Sequence, residues 1–183
     1  MAKVKFSGKI KLIGKKIILR EVRDSDIRSI IRFAKVKKVS KFTDLPHPFS
    51  LKDAYKLIGE IRHGIKTGES YQLGIELPSI KKVIGIIGLT NIDEHKKAEL
   101  EYWLGRKYWG QGIAKEAVKL ILNFGFRKLR LNRIYAKTVP ENINSWKLLK
   151  KCGFSYEGRL RETLFEEGRF VDLLVYSILR KEY

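Results

Sequence analysis

The feature that most constrains the fold is a pair of glycines, Gly110 and Gly112, between a strand pattern and a helix pattern. Before them, Ala98 to Leu104 alternates small or apolar residues with charged or bulky ones, the period of a strand with two different faces. After them, apolar residues recur at helical spacing, and we predict a helix from Ile113 to about Leu129. Glycines at such a junction let backbone N–H groups converge on an anion at the helix N-terminus, so a phosphate or pyrophosphate is the expected ligand.

A simple tight turn is the alternative explanation for these glycines, and two better-known phosphate motifs do not match. A dinucleotide fingerprint requires G-x-G-x-x-G, and a nucleotide-triphosphate loop requires Lys and then Ser or Thr after its last glycine. Gly112 is followed by Ile113, Ala114 and Lys115, which satisfies neither pattern.

The loop resembles the pyrophosphate loop of GNAT-type N-acetyltransferases, whose pattern [Q/R]-x-x-G-x-[G/A] falls here on Trp109 to Ala114. The first position departs, because it is Trp109 and not Gln or Arg. This departure and the Tyr-Trp-Gly-x-Gly run are similar to the branch that contains the RimJ/RimL-type ribosomal-protein N-terminal acetyltransferases. Between residues 15 and 183 the chain shares further residues with that branch, namely Leu19-Arg20, Asp26, Leu45 to Pro48, Asp53-Ala54, Asn142 to Phe154, Glu157 to Arg161, Gly168, Asp172 and Tyr176-Ser177.

The resemblance implies an α/β (α+β) GNAT domain with a mixed, mostly antiparallel central sheet of about seven strands flanked by about four helices. It implies acetyl-CoA as cosubstrate, no metal, and a primary amine as acceptor, above all the N-terminal α-amine of a protein. The residues that it implies for cofactor binding are Trp103, Leu104, Trp109, Gly110, Gln111, Gly112, Ile113, Ala114, Lys115, Asn142 and Ser145.

Length and composition favour one domain over residues 1–183, because a chain of 183 residues that is 44% hydrophobic is short for two cores. Residues 1–15 alternate lysine with apolar residues and fit an edge strand or a basic arm. The longest apolar run, Val83 to Leu89, is too short to cross a membrane, and we expect a cytoplasmic protein. One cysteine, Cys152, and three scattered histidines give neither an internal disulfide nor metal-ligand spacing.

The net charge of +19, from 39 basic and 20 acidic residues, predicts an anionic partner. Coenzyme A, an acidic peptide, or an RNA that carries a protein substrate would each fit, and a solvated lysine surface is the alternative. The sequence leaves open whether the protein is a monomer or a homodimer.

The remaining patterns predict further strands, three helices and one loop. The strands are Ile17–Val22, Tyr71–Leu77, Lys82–Thr90 and Arg133–Val139, followed by a hairpin of Ser155–Phe165 and Arg169–Leu179 that turns at Glu166-Glu167-Gly168. The helices are one capped by Asp24 or Ser25, one opened by a Ser50/Asp53 capping box and extending to about Lys66, and one capped by Asn142 and stopped by Gly153. Phe42 to Phe49 is predicted as a loop.

Glu99 and Glu101 are the candidates for a general base. Two residues apart on one strand face, their side chains start roughly 7 Å apart, a gap that can hold a water. Like charges at this distance raise the pKa of one carboxyl toward the working range of a base. We favour Glu99, because the resembled family fills its position with Glu, although either is possible; the alternative is a polar strand edge neutralised by Lys96 or Lys97.

The acid that protonates the departing thiolate is less clear from sequence. Many members of the resembled family carry a tyrosine for this role, and the corresponding residue here is Leu149. Ser145 is then the nearest hydroxyl, unless the thiolate leaves as an anion stabilised by dipoles or the serine only begins a helix.

The acceptor must be a neutral amine when it attacks. Deprotonation at pH 7 costs about 1.4 kcal/mol for an α-amine and about 4.6 kcal/mol for a lysine, so a weak base suffices for the first. A polyamine, amino acid or drug-like amine is the alternative acceptor, and a non-catalytic module that binds RNA or the ribosome is the alternative from another class.

Overall fold

One mixed sheet forms the centre of the structure, a computed structural model that describes residue 6, residues 8–166 and residues 168–183. Its strands are β1 (Lys11–Ile13), β2 (Ile18–Arg20), β3 (Tyr71–Leu77), β4 (Lys82–Thr90), β5 (Lys97–Leu104), β6 (Arg133–Thr138), β7 (Ser155–Glu166) and β8 (Arg169–Leu179). Their order is β1-β2-β3-β4-β5-β6-β8-β7, and every neighbouring pair is antiparallel except β5 and β6.

Five α-helices accompany the sheet in the described ranges: α1 (Ile27–Ala34), α2 (Lys37–Ser40), α3 (Leu51–Thr67), α4 (Ile113–Asn123) and α5 (Ile143–Lys151). The predicted fold class is confirmed. The strand beyond the expected seven is β1, at one edge of the sheet, and the helix beyond the expected four is α2. Residues 1–5 and 7 of the predicted edge strand or basic arm lie outside the described residues. None of the described helices is long and apolar enough to cross a membrane.

The core lies around β4. Its Val83–Leu89 run is buried throughout, so both faces of this strand are covered, and α1 and α4 both pack against it. Because a strand buried on both faces needs apolar residues at every position, the uninterrupted run follows from its central place in the sheet. The predicted bounds of β3 and β4 match the structure.

The start of α3 confirms the predicted capping box. Asp53 accepts a hydrogen bond from the Ser50 N–H at 2.8 Å, and Ser50 Oγ accepts one from the Asp53 N–H at 3.3 Å. The helix ends at Gly68, whose φ of 79° suits a residue without a side chain.

The predicted cap of the first helix, Asp24 or Ser25, is wrong. Residues Asp24–Asp26 form a 3₁₀ turn in which neither side chain caps α1. Asp26 instead accepts the Arg23 N–H at 2.8 Å and holds the buried Arg20 guanidinium through two bonds of 2.7 and 2.8 Å. Arg20 also donates to Glu76 on β3, so this network ties β2, β3 and the start of α1 together.

The two middle strands diverge after a short stretch of pairing. The parallel ladder between β5 and β6 runs from Lys97↔Arg133 to Glu99↔Tyr135 and ends there. Beyond it, β5 continues to Leu104 alongside β4, and β6 continues alongside β8. A wedge therefore opens between β5 and β6, directly beyond Glu99.

The helix predicted to reach about Leu129 changes its winding part of the way along. The α-helix ends at Asn123, and a π-helical turn, Phe124–Lys128, continues it. A β-carbon at Gly125 would come within 2.8 Å of Ile134 and Leu89, so the absence of a side chain lets this turn sit against the sheet.

The predicted C-terminal hairpin is present as β7 and β8, although Glu167 in its turn lies outside the described residues. At its base, Glu157 on β7 pairs with the Arg133 guanidinium on β6 and accepts a hydrogen bond from Ser177 on β8 at 2.7 Å. One cluster of side chains thus joins the last three strands.

Candidate active site

The wedge between β5 and β6 leads into a cleft of about 620 Å³ beside the start of α4. The predicted cofactor residues that line it are Trp103, Leu104, Trp109, Gly110, Gly112, Ile113, Ala114, Lys115 and Ser145. We call it the cofactor cleft. Residues from β5, the glycine loop, α4 and α5 meet there, although they lie up to about forty positions apart in the sequence.

Two predicted cofactor residues do not line this cleft. The Gln111 side-chain amide donates to the Lys107 backbone carbonyl at 2.8 Å, and the Gln111 backbone carbonyl accepts a hydrogen bond from Lys16 Nζ at 3.1 Å. Asn142 accepts the Ser145 N–H at 3.3 Å and so caps α5, as predicted from sequence. Their contact with the cofactor stays a prediction.

The glycine loop leaves open space in front of α4. Gly110 and Gly112 have φ values of 76° and 79°, and a β-carbon at either would meet no atom within 4 Å. Tyr108 also lines the cleft, and its buried hydroxyl has no hydrogen-bond partner within the described residues. An open cradle of this kind at a helix N-terminus fits the pyrophosphate of coenzyme A.

The charge of the cofactor cleft is positive. Its charged lining side chains are all cationic: Lys38, Arg106, Lys115, Lys147 and Lys151. A cleft of this sign favours the several phosphate charges of coenzyme A.

A second cleft of about 560 Å³ adjoins the first and has the opposite charge. We call it the acceptor cleft. The two clefts share Phe42, Thr43, Tyr102, Trp103 and Ser145. The charged residues that line the acceptor cleft are four acids and one cation, namely Asp44, Glu60, Glu99, Glu101 and Lys137.

Glu99 forms an ion pair with Lys137 inside the acceptor cleft. Only 8% of the residue is exposed, and its Oε2 lies 3.1 Å from Lys137 Nζ and 3.2 Å from Asn91 Nδ2. The sequence pointed instead to Lys96 or Lys97 as the neutralising residue, but Lys97 pairs with Asp93 at 3.2 Å.

Within the described part of the chain, the hydrogen-bond partners of the Glu101 side chain are neutral. Its carboxylate accepts from Thr90 Oγ1 at 3.0 Å and Gln72 Nε2 at 3.4 Å. Although part of the side chain meets solvent, it stands within the acceptor cleft, and desolvation there raises the pKa of Glu101; the nearby charge of Glu99 raises it further. This is the shift that the sequence predicted for one member of the pair, and it falls on Glu101.

A pair of hydroxyls lies where the two clefts meet. Tyr102 Oη and Ser145 Oγ are 2.9 Å apart, and burial raises the pKa of Tyr102 to about 12, which keeps the phenol protonated. Leu149 is fully buried in the core and offers no hydroxyl, as the sequence indicated. Sequence analysis missed Tyr102, because alternation placed it on the apolar face of β5.

No group of His, Cys, Asp and Glu within the described residues could hold a metal ion. Cys152 is half-buried, and burial raises the pKa of its thiol.

The two adjoining clefts are lined by charges of opposite sign and share the Tyr102–Ser145 hydroxyl pair, an arrangement that suits an enzyme with two different substrates. The chain is a member of the acetyltransferase (GNAT) domain family, whose model matches residues 16–155. It is 34% identical over 173 residues to the uncharacterized N-acetyltransferase p20 of Bacillus licheniformis, covering 94% of this chain and 97% of that protein. It is also 34% identical over 100 residues to the putative ribosomal N-acetyltransferase YdaF of Bacillus subtilis, covering 54% of this chain and 55% of that protein.

Among solved structures, the spermidine N-acetyltransferase of Vibrio cholerae in complex with CoA and spermine is similar, with a TM-score of 0.80 and 26% identity. The alignment covers 93% of this chain and 99% of that one. The family prediction is therefore confirmed: the chain is a GNAT-type N-acetyltransferase, and acetyl-CoA is its cosubstrate.

Proposed function

We propose that the protein transfers the acetyl group by direct attack of a primary amine, with Glu101 as the general base acting through water. The observation that carries this proposal is Glu101 itself. It is a carboxylate in the acceptor cleft with neutral hydrogen-bond partners and a raised pKa. Glu99 is already engaged in an ion pair with Lys137, so its carboxylate is less accessible to a water that would take the amine proton.

The other residues of the two clefts have separate tasks. Backbone N–H groups from Trp109 to Lys115 hold the pyrophosphate. Bound acetyl-CoA supplies the thioester carbonyl that the amine attacks. Ser145 would donate a proton to the departing sulfur and take one from Tyr102, 2.9 Å away, and the Tyr102 phenol would regain its proton from solvent.

The first candidate acceptor is the N-terminal α-amine of a protein. The residues that resemble the RimJ/RimL branch and the likeness to a putative ribosomal N-acetyltransferase support it. An α-amine also costs little to deprotonate near neutral pH, which suits a carboxylate base.

The second candidate is a polyamine, and the charge of the acceptor cleft favours it. Four carboxylates face one ammonium there, although the whole chain carries a large excess of positive charge. A molecule with several ammonium groups would be attracted to such a cleft. The likeness to a spermidine N-acetyltransferase supports this candidate.

Glu101→Gln tests the base. The substitution keeps the size and hydrogen bonds of the side chain, and we expect kcat/KM at pH 7 to fall by about 10² to 10⁴. The loss should shrink as pH rises, because the substrate amine then loses its proton unaided. Full activity of this variant at pH 7, with normal folding by circular dichroism, would remove Glu101 from the mechanism.

A substrate comparison tests the acceptor. We expect kcat/KM for a triamine such as spermidine to exceed that for a monoamine several-fold, with the advantage reduced by salt. Asp44→Asn combined with Glu60→Gln should remove the advantage, measured as the ratio of kcat/KM for the triamine to kcat/KM for the monoamine within the same variant. Glu94→Gln is the matched control, because Glu94 is exposed and is not among the residues that line the acceptor cleft. Acetylation of peptide N-termini well above any polyamine would instead support the first candidate.

A further inference from the structure

Lys137 contacts one of the two glutamates and not the other. It lies on β6 two residues after Tyr135, the register partner of Glu99, so it points to the same face of the sheet as both glutamates. Its Nζ is 3.1 Å from Glu99 Oε2, and Glu101 makes its hydrogen bonds to Thr90 and Gln72. Among the residues that line the acceptor cleft, Lys137 is the one cation.

The environment of Glu99 explains why a cation is needed there. The residue is 8% exposed at the last paired position between β5 and β6, and a buried carboxylate without a partner is strongly destabilising. Lys137 and Asn91 satisfy one of its oxygens. Glu101, two residues further along β5, is paired with β4 but lies beyond the end of the pairing between β5 and β6.

This inference rests on the proposed function. We infer that Lys137 is a positioning residue that gives the two glutamates different roles: it holds Glu99 in an ion pair and leaves Glu101 to exchange protons with the acceptor amine. Without the Lys137 cation, the Glu99 and Glu101 carboxylates would lie two residues apart on β5 with no positive charge paired to either, and their protonation would be coupled. Lys137 touches neither the amine nor the thioester in this role. It acts through the charge of Glu99.

The titration of Glu101 depends on every charged or titratable group that faces it. Those groups come from β5, β6, α3 and the loop before α3, and they are Glu99, Lys137, Tyr135, Glu60 and Asp44. Burial raises the pKa of Tyr135 to about 12, so this phenol stays neutral. At Glu101 the charges of Glu99 and Lys137 act in opposite directions, the first raising its pKa and the second lowering it.

The test uses the acidic limb of the pH profile of kcat/KM, which reports protonation of the base in the free enzyme. Lys137→Met should move that limb to higher pH by about one unit. This shift corresponds to a tenfold lower kcat/KM at pH values below the limb and to little change in kcat/KM above it. Glu99→Gln should move it downward. The double variant Glu99→Gln, Lys137→Met should return it close to the wild-type position, because the two opposing charges are removed together.

Two variants serve as controls. Lys97 lies on β5, the strand that carries both glutamates, and pairs with Asp93. Lys97→Met removes this ion pair and should not move the limb. Lys137→Arg keeps the charge and should retain the wild-type profile. If thermal unfolding shows that Lys137→Met does not fold, Glu99→Gln and the double variant decide the question together. Adding Lys137→Met to Glu99→Gln should then move the limb from its lowered position back toward the wild-type position.

A loss in Lys137→Met that is equal at every pH, no loss at all, or a double variant whose limb stays displaced would overturn the inference. Failure of the proposed base gives a different pattern: Glu101→Gln would then lack its pH-dependent loss, whatever Lys137→Met does. The two failures are therefore distinguishable in one set of profiles.

Discussion

Gly112 begins α4 with a left-handed backbone, and a side chain there would project into open space. A β-branched residue is strained at this φ, and its methyl groups would fill the space that we assign to the pyrophosphate. We expect Gly112→Val to weaken acetyl-CoA binding at least tenfold. We also expect its backbone strain to lower the free energy of unfolding by about 1 to 2 kcal/mol. Titration calorimetry measures the first quantity and chemical denaturation the second.

Gly168 offers a matched control for that variant. It has a φ of 80° and equally open surroundings, but it lies in the turn between β7 and β8. Gly168→Val should show the backbone strain without the loss of binding. Unchanged acetyl-CoA affinity in Gly112→Val would contradict the assignment of the loop.

The glutamate pair shows how far sequence reaches at this scale. A period of two places Glu99 and Glu101 on one face, and the structure agrees that both line a single cleft. The cation at Glu99 was not predictable, because Lys137 lies 38 residues away and meets it only through the pairing of β5 with β6. Contacts of that range depend on strand order, which local patterns do not determine.

At the scale of the elements, the Arg133–Glu157 ion pair links β6 to β7, and its contribution to the free energy of unfolding can be tested. The Arg133 guanidinium lowers the pKa of Glu157 to about 2, with help from the Ser177 hydroxyl. Because the folded pKa lies below the unfolded value, the pair stabilises the protein above about pH 4.5, and this stability is lost as pH falls toward 2.

We therefore expect Glu157→Gln to lower the free energy of unfolding by about 1 kcal/mol at pH 7, a figure discounted because both side chains meet solvent. The difference from wild type should vanish near pH 2. Urea denaturation at several pH values measures it, with the exposed Glu94→Gln as control. A difference that persists at pH 2 would mean that Glu157 acts through packing and not through its charge.

Element prediction succeeded where one periodicity extends over many residues. The bounds of β3 and β4 match the two strands predicted on either side of a turn at Pro78-Ser79, and the start of α3 matches its predicted capping box. It failed where contacts between distant elements determine the structure. Asp26 binds the Arg20 guanidinium, a contact that the cap pattern at the start of α1 does not reveal. The helix α2 has only four residues, too few for a helical apolar pattern.

Across the whole molecule, the distribution of charge matters more than its total. The sequence predicts an excess of cations and hence an anionic partner, and the cofactor cleft has cationic lining residues that fit this. The acidic acceptor cleft was not predictable, because its carboxylates come from the loop before α3, from α3 and from β5. Only folding brings them together, within a chain whose average charge has the opposite sign.

The divergence of β5 from β6 gives the sheet an edge in its interior. Open edges at the rim of a sheet recruit other chains, and proteins usually blunt or cover them. Here the edge is recessed between two packed halves, β1 to β5 on one side and β6, β8 and β7 on the other. A folded neighbour is too thick to enter such a slot, whereas a slender molecule with amide groups can lie along it as an extra strand would. In the function that we propose, the recess would therefore select the cosubstrate by its width, where an edge at the rim of the sheet would invite aggregation.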